Sequence, residues 1–531
     1  MKSPSPVKQS GLILLGLFTL LLRYPITPSP TGTDNFYYIS MTKAIISHGQ
    51  VFWAEEVLSL YGLFPGTSPL GATLLASAVT TVTGLSIYDY IIIHSIFLSL
   101  ISTFGFYMLS GELTDNYRSR WFAALCFSLA PRFLTFSLWR FSLRFTFIAL
   151  LPFFIWLLLR LSNSKHGRHP SRLIVLISLF IVILPSLHRM GLLFPGMLLA
   201  LLMAHLLFYW QENATNRERA GRQTLGFLIF LSGYLFYLQY LDFSPYTPDD
   251  DLIGAYLFIG NGILSSLANL AVYYMINVGP SVFIAILGIV FWIQGGRVKL
   301  GYLFSMSYLA LSFFVISDII YIPYLVTFGI LLFMAPGFDF FQDNLQDHPR
   351  RIAALFSVLT VILVSFSYAD LGYRVTAHER EAQFYTYYVR DSSISTAQWM
   401  DDNLENGIFE SNDAKRERRV AAYSDMLAQS DSLKLSQGLV DIERMDIERI
   451  SVKDMYWNSL DHLWEWNNTE IFSSEIDQNR SLSVVNLGMP DMSGKSSTLS
   501  LVLNYHYKYM PDFTYRIYSN TELALYWTTG Y

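Results

Sequence analysis

Charge is scarce in this sequence. Only 15% of its 531 residues are Asp, Glu, Lys or Arg, against 52% hydrophobic, where ordinary globular domains carry about 25% charged residues. With a mean hydropathy of +0.35, a soluble body would have too few charges to cover its surface. This excludes a soluble single domain and leaves an integral membrane protein. Cysteine is nearly absent. The lone Cys126 excludes an intramolecular disulfide and any zinc cluster built from cysteines. There is no long Lys/Arg run, so a nucleic-acid partner is not expected. Walker-type loops, HExxH and a Ser/His/Asp spacing are also missing, so ATPase, zincin and serine hydrolase readings have no support.

The charge that is present is unevenly placed. From Leu371 onward 24 acidic residues face 15 basic ones, while the first 370 residues are net positive. The expected organisation is a membrane body over 1–370 and a polar, acidic domain over 371–531. A bilayer core of about 30 Å needs about 20 helical residues. Apolar runs of that kind fall at 10–24, 87–110, 120–137, 144–161, 172–187, 190–210, 223–241, 276–295, 300–317, 320–336 and 352–369. The first follows Lys2 and Lys8 without a small-x-small cleavage site, and reads as an uncleaved span. With the N-terminus inside, the basic links near Arg118/Arg120, 160–172, 217–222, Arg297/Lys299 and Arg350/Arg351 all fall on the cytoplasmic side. That agreement supports eleven spans. It requires residues 69–84 to form a juxtamembrane or re-entrant helix. The protein is then a multi-pass cell-membrane protein with its N-terminus cytoplasmic and its tail extracytoplasmic.

In this topology the outside receives a first loop over 23–86, a short turn over 131–144, a loop over 242–277 with Pro248-Asp249-Asp250-Asp251, and the tail. Asn467-Asn468-Thr469 and Asn479-Arg480-Ser481 in the tail fit glycosylation acceptor patterns. A helix over 395–404 and strands over 419–423, 481–487, 499–507 and 514–518 are expected there, giving an α/β or α+β domain.

Two groups of residues can carry chemistry. Asp34 stands just past the first span, where a helix over about 35–48 begins. Its plain reading is an N-cap. The helix reads as amphipathic, with Phe36, Ile39, Ala44 and Ile46 against Lys43 and His48, and is expected to lie flat at the membrane surface. Asp34 would then face a cleft at the depth of lipid phosphates. The second group is Arg132, Arg140 and Arg144 in the second outer turn, with His188-Arg189 at the outer end of the fifth span. Outer arginines run against the positive-inside trend, and guanidinium forks match phosphate geometry. The plain reading is snorkelling; phosphate binding is favoured for Arg144, His188 and Arg189.

The sequence resembles the GT-C membrane glycosyltransferases. These include protein O-mannosyltransferases, lipid A aminoarabinose transferases and oligosaccharyltransferase catalytic subunits. The resemblance rests on Gly32-Thr33-Asp34 at the end of the first span, the helix ending Ser47-His48-Gly49, and Phe52-Trp53. It also rests on the Pro65 to Pro69 segment entering a short apolar helix, and on the alternating span plan. It covers the first 370 residues loosely and is nearest to the protein-mannosyltransferase-like branch of archaea and bacteria. It implies a GT-C-like helical body. It also implies transfer of a sugar from a polyprenyl-phosphate or polyprenyl-diphosphate donor to a protein, lipid or glycan acceptor on the outer face. Asp34 occupies the family's catalytic position. Arg140, Arg144, His188 and Arg189 are the expected donor-phosphate ligands, and His48, Glu55, Glu56 and Asp249 the expected acceptor or accessory groups. One departure concerns metal. No Asp or Glu lies between Asn116 and Arg160, where many members carry a second acidic residue. A divalent cation such as Mg²⁺ or Mn²⁺ would then need Glu55, Glu56 or the 249–251 triplet. The rival readings are a non-catalytic envelope protein and a lipid-linked polysaccharide transporter or polymerase.

Overall fold

The structure is a computed structural model. It describes residues 6–25, 27, 29–49, 71–162, 170–188, 190, 194–212, 274–295, 300–314, 322–345, 348–380, 389, 391–403, 408–411, 419–420, 422–424, 427–428, 497–503, 514–519 and 523–529. Among these, four stretches are long and apolar enough to cross a membrane: Ile87–Ser110, Leu143–Ser162, Tyr324–Asn344 and Arg350–Gly372. Five further apolar helices are shorter. The span expected at 223–241 lies outside the described residues.

The chain divides into two compact units, Met1–Pro25 with Ile91–Arg380, and Ile26–Tyr90 with Glu381–Tyr531. This departs from the division expected at residue 370. Residues 26–90 group with the tail, and the last long helix of the first unit runs on to Arg380.

The first unit contains α1 (Pro6–Leu21), and later α5 (Tyr117–Leu129), α6 (Pro131–Ser137), α7 (Leu143–Ser162), α8 (Pro170–Leu187) and α9 (Phe194–Glu212). Then come α10 (Val282–Gly295), α11 (Leu300–Phe314), α12 (Ile322–Leu331), α13 (Met334–Asn344) and α14 (Pro349–Arg380). Of α4 (Ile87–Ser110), all but the first turn belongs here. The single span expected over 120–137 is two helices. Pro131 ends the hydrogen-bond ladder of α5 and opens α6, since proline lacks an N–H but suits the first helical position.

The core is aromatic. Phe106 stacks on Phe127 and Phe122 on Phe338, each pair 4.6 Å apart. Arg23, just past α1, is buried, and its guanidinium donates to Ser128 Oγ (2.9 Å), the Ser128 carbonyl (2.8 Å) and Ser137 Oγ (3.2 Å). The carbonyl end of α5 thus receives a cation, which the helix dipole favours. α10 and α13 cross so closely that a Cβ on Gly337 would overlap the Ile284 carbonyl oxygen. Gly337→Ala is therefore expected to cost about 1–3 kcal/mol of stability, because backbone on both sides leaves no rotamer to relieve the overlap. A lowered thermal midpoint in detergent checks this. Val358, Val361 and Ile362 of α14 are exposed, as suits a lipid-facing surface in a membrane helix.

The second unit contains α2 (Thr33–His48) and α3 (Gly71–Thr83), which pack together, and α15 (Asp391–Asn403). Its sheet has strands β1 (Ile408–Ser411), β2 (Leu427–Ala428), β3 (Ser497–Leu503), β4 (Thr514–Ser519) and β5 (Leu523–Thr529) in the order β2-β1-β3-β5-β4. β1 runs parallel to β2 and β3, while β5 is antiparallel to β3 and β4. The strand expected over 419–423 is instead helical at 419–420 and 422–423, closed by a bond from Ser424 N–H to the Val420 carbonyl (3.0 Å). Two alanines favour this outcome. The strand expected over 481–487 lies outside the described residues.

First-loop and tail residues of this unit are bonded to each other. Ser29 Oγ donates to the Val389 carbonyl (2.9 Å) and accepts the Val389 N–H (2.7 Å). Lys43 Nζ donates to the Ser424 carbonyl, and Tyr88 stacks on Tyr423 while its hydroxyl donates to the Ala422 carbonyl. Ser29→Ala removes the partner that both backbone groups of Val389 have among the described residues. It is expected to cost about 2–3 kcal/mol, seen as faster limited proteolysis of the tail.

Candidate functional site

Each residue of Gly32-Thr33-Asp34 has a backbone reason for its place. Gly32 is the N-cap of α2 with φ 87°, a left-handed conformation that glycine adopts without strain. The helix starts at Thr33, so Asp34 is its second residue rather than the cap, and stands where a helix N-terminus favours negative charge. Gly49 closes the helix with φ 66°, its N–H bonded to the Ile45 carbonyl. The side chains of Asp34 and His48 lie outside the described part.

α2 does not show one apolar face. Asn35, Phe36, Tyr37, Ile39, Ser40, Met41, Thr42 and Ile45 are all buried, and Ile46 is exposed. Polar residues tolerate this burial because Ser40 and Thr42 donate to the carbonyls four residues back. The expected flat amphipathic helix is thus a helix packed on most sides.

In the first unit, the break at Pro131 sets three arginines around one turn. Arg132 is the second residue of α6, Arg140 lies in the link to α7, and Arg144 is the second residue of α7. All three meet the ring of Phe136, on α6, and Arg132 and Arg144 also meet that of Tyr324, on α12. The Arg132 guanidinium carbon is 4.3 Å from the Tyr324 centroid, Arg140's is 4.1 Å from Phe136, and Arg144's is 5.0 Å from Tyr324 and 5.5 Å from Phe136. Arg144 Nη1 also donates to the Tyr324 hydroxyl at 2.7 Å. The two rings meet edge to face, 5.3 Å apart.

Arg132 and Arg144 share the Tyr324 ring, which holds their charges within about 10 Å of each other. At that separation two partly buried cations repel by roughly 1–2 kcal/mol. Ring faces offset part of this cost. The link to α7 is fixed by Ser95 of α4. Its Oγ donates to the Arg140 carbonyl (3.1 Å) and accepts the Arg140 N–H (3.2 Å). The neighbouring His94 meets Thr146 Oγ1 at 3.3 Å and sits edge-on to Phe141. The arrangement is a rigid, aromatic-lined set of N–H donors, chemically suited to a phosphate.

The comparisons bear on this arrangement through the fold. No family model matches the chain, and no curated protein matches it. Among solved structures, the Archaeoglobus fulgidus oligosaccharyltransferase in complex with Zn and sulfate superposes with TM-score 0.55 at 13% identity. The match covers 79% of this chain and 62% of that one. The chain shares its fold with this archaeal oligosaccharyltransferase. The same enzyme, AglB, in complex with an inhibitory peptide and a dolichol-phosphate, gives TM-score 0.56 at 12% identity over 80% of this chain and 64% of that one. The chain thus spans somewhat less than two thirds of the AglB chains. ArnT from Cupriavidus metallidurans bound to undecaprenyl phosphate aligns over 98% of this chain and 97% of its own at 11% identity, with a TM-score of 0.49, too low to establish a shared fold.

Within the AglB-like fold the expected residues fare differently. Arg140 and Arg144 come together, and Arg132 joins them. His188 is buried at the end of α8, where its Nδ1 accepts the Met190 N–H at 3.0 Å, a local turn contact. Arg189, Glu55, Glu56 and Asp249 lie outside the described residues. Phe136, Tyr324 and Ser95 were not legible as site residues. Tyr324 follows a proline at the head of an apolar run, the signature of an ordinary interfacial tyrosine, and a serine inside a span carries no signal of its partner.

Proposed function

We propose that the chain is a multi-pass membrane glycosyltransferase. It moves a sugar from a polyprenyl-(di)phosphate-linked donor to a protein, lipid or glycan acceptor on the outer face of the membrane. The observation that carries this reading is the gathering of Arg132, Arg140 and Arg144 on Phe136 and Tyr324. It is supported by a fold shared with AglB, one of whose structures holds a dolichol-phosphate and another an acceptor peptide containing the NVT sequon.

In the proposed reaction Asp34 takes the proton of the acceptor nucleophile as the bond from the sugar to the phosphate oxygen breaks. The electron pair of that bond leaves on the lipid phosphate. Arg140 and Arg144 stabilise the departing anion, aided by His188 and Arg189, in a site where fixed donors act strongly. His48, Glu55, Glu56 and Asp249 are assigned to the acceptor side. The oligosaccharyltransferase structure with Zn supports a divalent cation, and Mg²⁺ or Mn²⁺ would suit the oxygen donors Glu55, Glu56 and the 249–251 triplet. Among the described residues there is no group of three or more such ligands, so the candidate ligands rest on the sequence alone. Eleven spans, a cytoplasmic N-terminus and an outward tail complete the reading.

The direct test of the carrying observation is binding. The purified full chain in detergent is expected to be stabilised by a polyprenyl phosphate and not by the neutral polyprenol. Equal stabilisation by both lipids contradicts the assignment.

A further inference from the structure

Beside the arginines stands a residue that the reading above does not use. Trp139, in the link between α6 and α7, has φ +40°, and it is the only non-glycine residue with positive φ among those described. A bulky side chain seldom adopts this conformation, and such strain persists where surrounding structure enforces it. Here the enforcement is visible. The next residue, Arg140, has both its backbone N–H and its carbonyl bonded to Ser95 Oγ on α4.

The strained turn places two N–H donors next to each other in the chain. Trp139 Nε1 and Arg140 Nε are both buried, and neither has a hydrogen-bond partner among the described residues. Buried donors are normally paired. Here two such donors follow one another on a backbone held at positive φ.

We propose that Trp139 is a further ligand-binding residue, whose indole N–H and the Nε–H of Arg140 together take oxygen atoms of a phosphate group. This rests on the donor-binding reading above and adds a neutral donor to it. The indole N–H carries no charge, so it contributes direction rather than attraction, and fixes how the phosphate is turned toward the arginines. The phosphate can come from a lipid headgroup or from a soluble phosphate, and the test separates the two.

The experiment measures the affinity of the full-length protein in detergent for a polyprenyl monophosphate, with polyprenol and inorganic phosphate as the other probes. Trp139→Phe keeps the ring and removes only the N–H. It is expected to bind the polyprenyl phosphate about tenfold more weakly, equivalent to about 1.4 kcal/mol, with an unchanged thermal midpoint in the absence of ligand. Trp139→Asn, a residue that tolerates positive φ, is expected to raise that midpoint while also weakening binding. A purely structural tryptophan would give a lower midpoint in both variants. If wild type prefers polyprenyl phosphate to polyprenol and Trp139→Phe binds as tightly as wild type, the assignment of Trp139 falls and the donor site stands. If wild type neither distinguishes the two lipids nor binds inorganic phosphate, both fall. Binding of inorganic phosphate that weakens in Trp139→Phe, with no preference of wild type for polyprenyl phosphate over polyprenol, upholds the N–H pair, makes its ligand a soluble phosphate and removes the lipid-donor reading.

Discussion

Arg144→Met is expected to weaken polyprenyl phosphate binding on the order of a hundredfold. Methionine keeps the packing of the arginine stem, so the loss isolates the guanidinium. Hydrogen bonds to a charged group are each worth about 1.5–3 kcal/mol, and Arg144 is the arginine that also bonds the Tyr324 hydroxyl. Losing it removes the donor to that hydroxyl. Arg144→Lys keeps the charge without the planar fork and is expected to recover part of the affinity, to about tenfold below wild type. The check is the polyprenyl phosphate dissociation constant of each variant. Equal affinity in wild type and Arg144→Met would make this arginine an interfacial anchor.

Asp34→Asn is the second large effect. Asparagine has the same size and suits the first turn of α2, but it cannot accept a proton from the nucleophile. Sugar transfer is expected to fall by about 10²–10⁴-fold, while affinity for polyprenyl phosphate stays within about twofold of wild type. The split between rate and binding is the informative part, because a misfolded protein would lose both. It is read as the initial rate at saturating donor beside the donor dissociation constant. A variant that transfers at the wild-type rate removes Asp34 from the chemistry.

The residues differ in how far their roles were legible in the sequence. The span at 87–110 matches α4 to the residue, because an unbroken apolar run has one reading. The run over 120–137 misled, since hydropathy averages across Pro131, whereas the backbone cannot. The arginines around that break were visible as charges out of place. The aromatic platform under them was not, because Tyr324 is 180 residues from Arg144 and its neighbours look like any span end. Asp34 read as a cap, yet the cap is Gly32, whose φ of 87° is a backbone property with no hydrophobic signature. The grouping of residues 26–90 with the tail depends on bonds such as Ser29 to Val389, 360 residues apart, and no local pattern announces such a partner. The burial of α2 on most sides has the same origin. Its polar residues look solvent-facing in sequence, and only the intrahelical bonds of Ser40 and Thr42 reveal why they need not be.

The central claim is that this membrane protein transfers a sugar from a lipid-phosphate donor. Its most direct test uses membranes that contain the full chain, supplied with polyprenyl-phosphate sugars radiolabelled in the sugar and prepared from the native host. The account predicts that label leaves the lipid fraction for an acceptor in membranes with wild type, and stays in the lipid with Asp34→Asn at equal abundance. Label that remains in the lipid with wild type, for every native donor supplied, would contradict it and favour a non-catalytic or transport role.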